Sequence, residues 1–363
     1  NGRSGVLRMQ TGEAETRKVP GRMSAAVFKE PGRIDVEERA VPTPGPGEVL
    51  VKVEACGVCG TDFHIFKGEA PARPPVVLGH EYCGEVVAVG EGLDRPRPGD
   101  RVAVDPNIAC GRCYHCRMGK VHLCESMEAL GVTLDGGLAE YSLAPATQCH
   151  VLPAGMPAAW GAFVEPVACC VHGIDLAGIR PGYSVVVMGG GTIGLILLQL
   201  ARISGAATLI VSEPVRKKRE LALELGATLA VDPLSSDLES EVRAVLPAGA
   251  DVVIEAVGRP ETVEAALGIA TRGGCVLLFG VSPEGAKVTV SPFAIYKKEL
   301  RVQGSYVNPF TFSRAISLLA SGAVKVEPLV ERVVSLGDLP LVLASGPSAG
   351  GAKTLVGVNA ARA

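Results

Sequence analysis

The chain has 363 residues, 47% of them apolar, and its 35 Lys and Arg nearly balance its 38 Asp and Glu. That length suits about two domains of roughly 150 residues, each with its own core, and the composition excludes a disordered polyelectrolyte. No basic face is evident, which argues against nucleic acid as a partner. Eleven cysteines, four of them within residues 110–124, are too sparse for a disulfide scaffold; clustered thiols read as metal ligands and imply a reducing, cytoplasmic setting.

Residues 1–22 are polar and mixed in charge, with no apolar signal core, and Met23 reads as a natural start because MSAAVFKEPG opens the first strand pattern. From Met23 to about Ala144 the sequence consists of short strands broken by Gly and Pro, as in VLVKVEACGV, EYCGEVVAVG and DRVAVDP. Such a region suits a partly open β barrel. Helical patterning is nearly absent before Pro166. The period then changes to helix 166–178, strand 183–188, helix 192–204, strand 208–212 and helix 214–226. Strand 229–231, helix 236–245, strand 251–254, helix 260–270 and strand 275–280 follow. Apolar strands alternating with helices predict a doubly wound parallel α/β sheet covered on both faces.

Between Arg180 and Arg202 lie 21 uncharged residues, enough to suggest a membrane span. Their order, a β-branched run, a glycine turn and a helix pattern, predicts a buried strand–turn–helix instead, and no membrane partner. After a last short strand at LRVQGSY and a helix near Thr311–Ser321, the tail segments EPLVERVVSL and KTLVGV return to strand patterning. The expected organisation is therefore a β domain in two pieces, residues 23–166 and 310–363, with the sheet-and-helix domain, residues 167–309, inserted between them.

Gly189, Gly191 and Gly194 form G-x-G-x-x-G directly after a strand and at the start of a helix. In that context the first glycine makes the turn, the second admits a pyrophosphate and the third lets helix pack on strand. Thr192 and Ile193, inside the motif, open the helix whose free amides and dipole would meet the phosphates. Glu213, ending the next strand, can accept the adenosine ribose hydroxyls and repels a 2′-phosphate, so NAD is expected over NADP. Arg216, Lys217 and Lys218 just beyond it could greet such a phosphate, but read better as a solvated helix face. Val257 and Phe279 fall at the carboxyl edge of the sheet, where a nicotinamide would lie.

Cys110, Cys113, Cys116 and Cys124 run C-x₂-C-x₂-C-x₇-C. Four thiolates suit a closed, tetrahedral, structural zinc. A ferredoxin cluster would need three residues before the fourth cysteine and a proline after it, where this chain has seven and Glu125. His115 and His122 are expected on the solvent side. Cys59, His80, Glu81 and Glu165 are suitable ligands for a second, catalytic zinc that keeps one position open. Charge suggests that only one of the two glutamates binds tightly at a time, since both would make the site anionic. Spacing alone does not choose between Cys56 and Cys59.

Together, the run from Cys59 through Gly84, the four-cysteine lobe, Glu165-Pro166 and the glycine turn resemble the zinc-dependent medium-chain alcohol dehydrogenases, and within them most of all the sorbitol, arabinitol and related polyol dehydrogenases. The resemblance runs from about Met23 to the C-terminus. It implies a Rossmann NAD domain inserted in a GroES-like catalytic domain, and hydride transfer from a secondary alcohol or polyol to NAD. It selects Cys59, followed by Thr61, as the thiolate ligand and leaves Cys56 as a core residue. It makes Asp62 the carboxylate that orients His80, and Thr61 and His64 a proton relay. Glu81 becomes the third protein ligand, and Glu165 stands where simpler alcohol dehydrogenases carry cysteine. Lys353 is expected near the cofactor phosphate, Cys169 and Cys170 in the core, and Phe66, Trp160, Phe279 and Tyr306 on the pocket wall. The helix beginning near Thr311 is a candidate hinge. A threonine-like hydroxy-amino-acid or amino-alcohol dehydrogenase is the alternative reading, because that branch shares the Gly-His-Glu and four-cysteine patterns. The strand VQGSY would be an exposed edge, so a homo-oligomer is expected, a tetramer rather than a dimer by the resemblance.

Overall fold

The computed structural model describes residues 19–347 and 352–359. Six parallel strands form the sheet of the inserted segment, in the order Leu229–Val231, Thr208–Ser212, Ser184–Met188, Ala250–Glu255, Ala270–Leu278 and Arg301–Gly304. Numbered along the chain this is 3-2-1-4-5-6, the doubly wound Rossmann order. The two central strands, Ser184–Met188 and Ala250–Glu255, carry side chains buried at nearly every position, so they read as continuous apolar runs rather than alternating ones. The crossing point lies between these two, and a Cβ on Gly189 would come within 3.0 Å of Val257 Cγ2.

The remaining strands form open, largely antiparallel sheets. The largest runs Cys149–Val151, Arg101–Val104, Glu81–Val89, Glu48–Gly57, Lys353–Gly357, Val330–Val334, with Tyr141–Pro145 also paired to Glu48–Gly57. The tail strand Lys353–Gly357 thus pairs with Glu48–Gly57, in the register Leu355 opposite Gly57. A three-stranded sheet of Arg33–Ala40, Arg22–Glu30 and Val76–Val77 and a two-stranded one of Asn107–Ile108 and Glu128–Ala129 complete the β structure. One apolar core fills this region, and a second runs from helix Val164–Ala177 into the parallel sheet.

The 21 uncharged residues form strand Ser184–Met188, the glycine turn and helix Thr192–Ile203, and among the described residues no helix is long and apolar enough to cross a membrane. Several short helices have no counterpart in the sequence pattern, and helix Gly60–Lys67 is the one that bears on the site. Its helix signal is hidden because the N-cap is Cys59 rather than Ser or Thr, although Asp62 closes the capping box by accepting the Cys59 amide at 2.8 Å. Gly68, at φ 76°, ends it. Helices Ala158–Ala162, Pro292–Lys298 and Leu339–Ser345 are likewise too short to show a period in sequence.

Candidate active site

The Cys59 thiolate, the His80 ring and the Glu81 carboxylate offer ligand atoms that lie within 4.8 Å of one another. Cys59 caps helix Gly60–Lys67, and Glu81 begins strand Glu81–Val89 directly opposite Gly57. That glycine is required: a Cβ there would sit 2.1 Å from Glu81 Oε2. Cys56 is fully buried, and burial pushes its thiol well above the ordinary range, so it is a neutral core group. His80 experiences opposing effects. Burial disfavours its charged form, but the Cys59 thiolate, Asp62 and Glu165 outweigh it and raise the ring. A pocket that draws a proton onto a buried imidazole is one that favours a cation, which is the fit a metal needs. Asp62 Oδ1 stands 4.0 Å from His80 Nδ1, and both buried atoms lack a hydrogen-bond partner.

The expectation for Lys353 is corrected. Its ammonium is buried in the catalytic sheet and donates to both Glu81 oxygens at 2.6 and 2.8 Å and to Val58 O at 3.3 Å. This changes the charge argument as well. The Lys353 ammonium pairs the Glu81 charge, and of the two glutamates only Glu81 lies in the ligand cluster with Cys59 and His80. Glu165 itself, in the first turn of helix Val164–Ala177, is outside the three-residue ligand cluster but close enough to act on His80 electrostatically. Burial raises its carboxyl to about 7. Its Oε1 accepts from Cys169 Sγ at 3.2 Å and Asn308 Nδ2 at 3.4 Å. Cys169 is therefore a partner of the site rather than plain packing, whereas Cys170 is buried in the core.

Thr61 Oγ1 lies 3.7 Å from Cys59 Sγ. His64, three residues further along the helix, is exposed and pairs with Glu69 at 2.7 Å. No hydrogen bond joins Thr61 to His64 among the described residues. Of the proposed pocket aromatics, Phe66 and Trp160 are half-buried against the two cores, Phe279 packs on Gly173 of helix Val164–Ala177, and Tyr306 is exposed.

Cys110, Cys113, Cys116 and Cys124 also converge within 4.8 Å. Backbone N–H groups of Cys110 and Ser126 point at Cys124 Sγ, and that of Cys113 at Cys110 Sγ, at 3.2–3.4 Å. Such amides stabilise thiolates, and those of Arg112 and Cys113 lower the Cys110 thiol to about 6. His115 and His122 are not simply solvent-facing: each has a buried, unpartnered Nδ1, and the His122 ring rests edge-on against His172 at 5.1 Å.

At the dinucleotide turn Gly189 takes φ 101°, and a Cβ on Gly194 would lie 1.8 Å from Gly189 O. Gly191 caps helix Thr192–Ile203 with no side-chain cap, so the amides of Thr192, Ile193 and Gly194 are left for an anion. Glu213 follows strand Thr208–Ser212. Its oxygens accept from Gly190 N at 2.7 Å and Val215 N at 2.9 Å, and Lys218 stands 3.8 Å away. Val257 lies just past strand Ala250–Glu255, half exposed, and Phe279 just past strand Ala270–Leu278, at the sheet edge that faces Glu165's helix.

This arrangement has relatives. The family described as Alcohol dehydrogenase GroES-like domain matches residues 45–154, and that described as Zinc-binding dehydrogenase matches residues 192–321. D-arabinitol dehydrogenase 1 of Uromyces fabae is 34% identical over 327 residues, 89% of this chain and 93% of the relative. The chain belongs to the zinc-dependent medium-chain dehydrogenases. L-threonine 3-dehydrogenase of Pyrococcus abyssi is 38% identical, covering 82% of this medium-chain dehydrogenase and 86% of the relative. A putative zinc-binding dehydrogenase of Sinorhizobium meliloti, solved bound to NADP, is 46% identical with a TM-score of 0.91, over 93% and 99% of the two chains. The similarity therefore does not single out the polyol branch. This medium-chain dehydrogenase is a zinc- and NAD-dependent oxidoreductase of a small alcohol-like substrate, with a Rossmann domain and an open GroES-like catalytic domain.

Two kinds of site residue escaped the sequence. Lys353 was assigned to the wrong partner, and Asn107 and Asn308, which reach Glu165 as a chain, carried no motif. Pairing of distant strands and loops brought them in, and no local pattern records that.

Proposed function

We propose that this dehydrogenase oxidises the secondary hydroxyl of a threonine-like β-hydroxy-α-amino acid or amino alcohol to the aminoketone, with NAD as acceptor. The observation that carries the reading is Glu165: a buried carboxyl raised to about 7, beside the metal cluster, with only a thiol and an amide as hydrogen-bond donors among the described residues. An ammonium next to the carbinol carbon would supply the missing cation. The 38% identity to a threonine dehydrogenase supports the same choice. A polyol, placing a second hydroxyl on Glu165, is the second reading, favoured by the 34% match to an arabinitol dehydrogenase over most of both chains.

Cys59, His80 and Glu81 would hold the catalytic zinc, and the four-cysteine lobe a structural one. Bound zinc supplies Lewis acidity to the substrate oxygen, and bound NAD takes the hydride. The chain's own residues do the rest. Thr61 would accept the substrate hydroxyl's hydrogen bond and, with no direct bond to His64 among the described residues, pass the proton through water to His64, which pairs with Glu69. Asp62 Oδ1, the nearest carboxylate oxygen to His80 Nδ1, would accept a hydrogen bond from Nδ1–H and hold the ring in its ligand tautomer. Lys353 neutralises Glu81. Val257 and Phe279 would border the nicotinamide, and the amides of the glycine turn would hold the pyrophosphate. Glu213 favours the unphosphorylated ribose. A homo-oligomer joined along strand Arg301–Gly304 completes the reading, since among the described residues that edge is unpaired and Val302, Phe293, Tyr296 and Val281 near it are exposed.

The test is NADH formation by zinc-loaded protein with threonine, amino alcohols, sorbitol, xylitol, arabinitols and 2,3-butanediol. Turnover of threonine or an amino alcohol, with an aminoketone as product, is expected. Turnover of polyols alone would replace this reading with the second one.

A further inference from the structure

Behind Glu165 runs a polar chain with a defined direction. Asp105, acceptor-only when ionised, takes both the backbone N–H of Asn107 at 3.0 Å and its Nδ2 at 3.3 Å. That fixes which end of the Asn107 amide is the NH₂ group. The same Nδ2 donates to Asn308 Oδ1 at 2.8 Å, which fixes the Asn308 amide in turn and leaves its Nδ2 facing Glu165 Oε1 at 3.4 Å. Asn308 is 2% exposed, and the Asn107–Asn308 bond joins residues 201 positions apart, one in the β region and one beyond the last Rossmann strand.

The backbone around Asn308 is held against its own preference. Val307 at φ 46° and Phe310 at φ 58° are both non-glycine residues in the left-handed region, a conformation that for a β-branched or bulky side chain persists only where surrounding contacts enforce it. One of these contacts is Thr311, whose hydroxyl donates to Ala168 O at 2.8 Å on the helix that carries Glu165. Packing alone would not need a buried amide here, because an apolar side chain would fill the space without a desolvation cost.

We propose that Asn308, oriented by Asn107, is a positioning residue that fixes the Glu165 carboxylate for the substrate's polar substituent. The inference rests on the reading of Glu165 given above. It makes Asn308 a determinant of alcohol affinity that acts through Glu165 and has no role in holding NAD.

The test uses the full-length, zinc-loaded enzyme and the best substrate of the panel. Asn308→Ala is expected to raise the alcohol KM about tenfold, the size of one lost hydrogen bond to a charged group, while kcat falls less and the NADH Kd, read by fluorescence, stays within about twofold. Alcohol binding to the enzyme–NADH complex, read by the same fluorescence, should weaken in parallel. Asn107→Ala, which keeps the Asn308 donor but frees its orientation, should give a smaller change of the same kind and provides the test if Asn308→Ala does not fold. In a Glu165→Gln background the Asn308→Ala effect should largely disappear. An unchanged alcohol KM in Asn308→Ala, or an effect that persists in full beside Glu165→Gln, would overturn the inference and leave the Glu165 reading standing. A Glu165→Gln enzyme with unaltered KM for every substrate would overturn both.

Discussion

At Cys59 and Cys56, two thiols three positions apart have opposite fates. Cys59 caps a helix beside His80, whereas Cys56 lies in a strand with its thiol neutral and fully buried. Cys59→Ser should abolish NADH formation with the circular dichroism spectrum unchanged and one zinc equivalent lost. Cys56→Ala should keep activity and cost about 1–2 kcal/mol in urea denaturation; the reverse pattern would exchange their roles. Asp105 gives a pH signature. Burial raises it from 3.8 to about 6, so the folded state binds its proton more tightly than the unfolded state does. Below pH 4 both states are protonated and nothing is lost; between about 4 and 6 ionisation destabilises the fold, and above 6 the cost is constant. Asp105→Asn keeps the acceptor oxygen for Asn107 and removes the charge. It should gain roughly 3 kcal/mol above pH 6 and nothing below pH 4, as measured by denaturant titration across that range. The four-cysteine and glycine motifs were legible at this scale because each rests on local spacing. Lys353, Asn107 and Asn308 were not, since their partners are distant in sequence.

Among the elements, the strand–turn–helix at residues 184–203 could be read in detail because glycines are forced there by close approach. Gly194→Ala would drive a Cβ to 1.8 Å from Gly189 O; a stability loss of about 1–3 kcal/mol and a sharply weaker NADH Kd are expected from denaturation and fluorescence titration. Helix Gly60–Lys67 was missed although it carries Thr61, Asp62 and His64, because a cysteine stands at its cap and eight residues hold too few turns to show a period. The cysteine lobe has the opposite character: little core of its own and four convergent thiols. Cys116→Ser should lose its zinc and lower Tm by more than about 5 °C, with turnover per catalytic zinc much less affected. A fully metallated variant with the wild-type Tm would deny the lobe its structural role.

For the whole molecule, the Rossmann sheet ends on strand Arg301–Gly304, paired on one side only, with Val302 exposed. Edge pairing with a second copy is proposed to cover it, and Val302→Lys should then halve the mass seen by light scattering; an unchanged assembly would move the interface elsewhere. The sequence by itself determined the alternation of strand and helix, the glycine turn and the four-cysteine cluster, whereas Cys59 and Glu81 were singled out by family likeness. The former depend on spacing within a few dozen residues, where steric demand and metal geometry leave few alternatives. Only the tertiary structure decided how charge is balanced at the metal cluster. It folds the C-terminal strand Lys353–Gly357 beside Glu48–Gly57, so that the Lys353 ammonium meets Glu81, and it brings Asn308 to Glu165. A buried carboxylate must find its counter-charge or donor wherever the fold brings one, and no local pattern in the chain records that meeting.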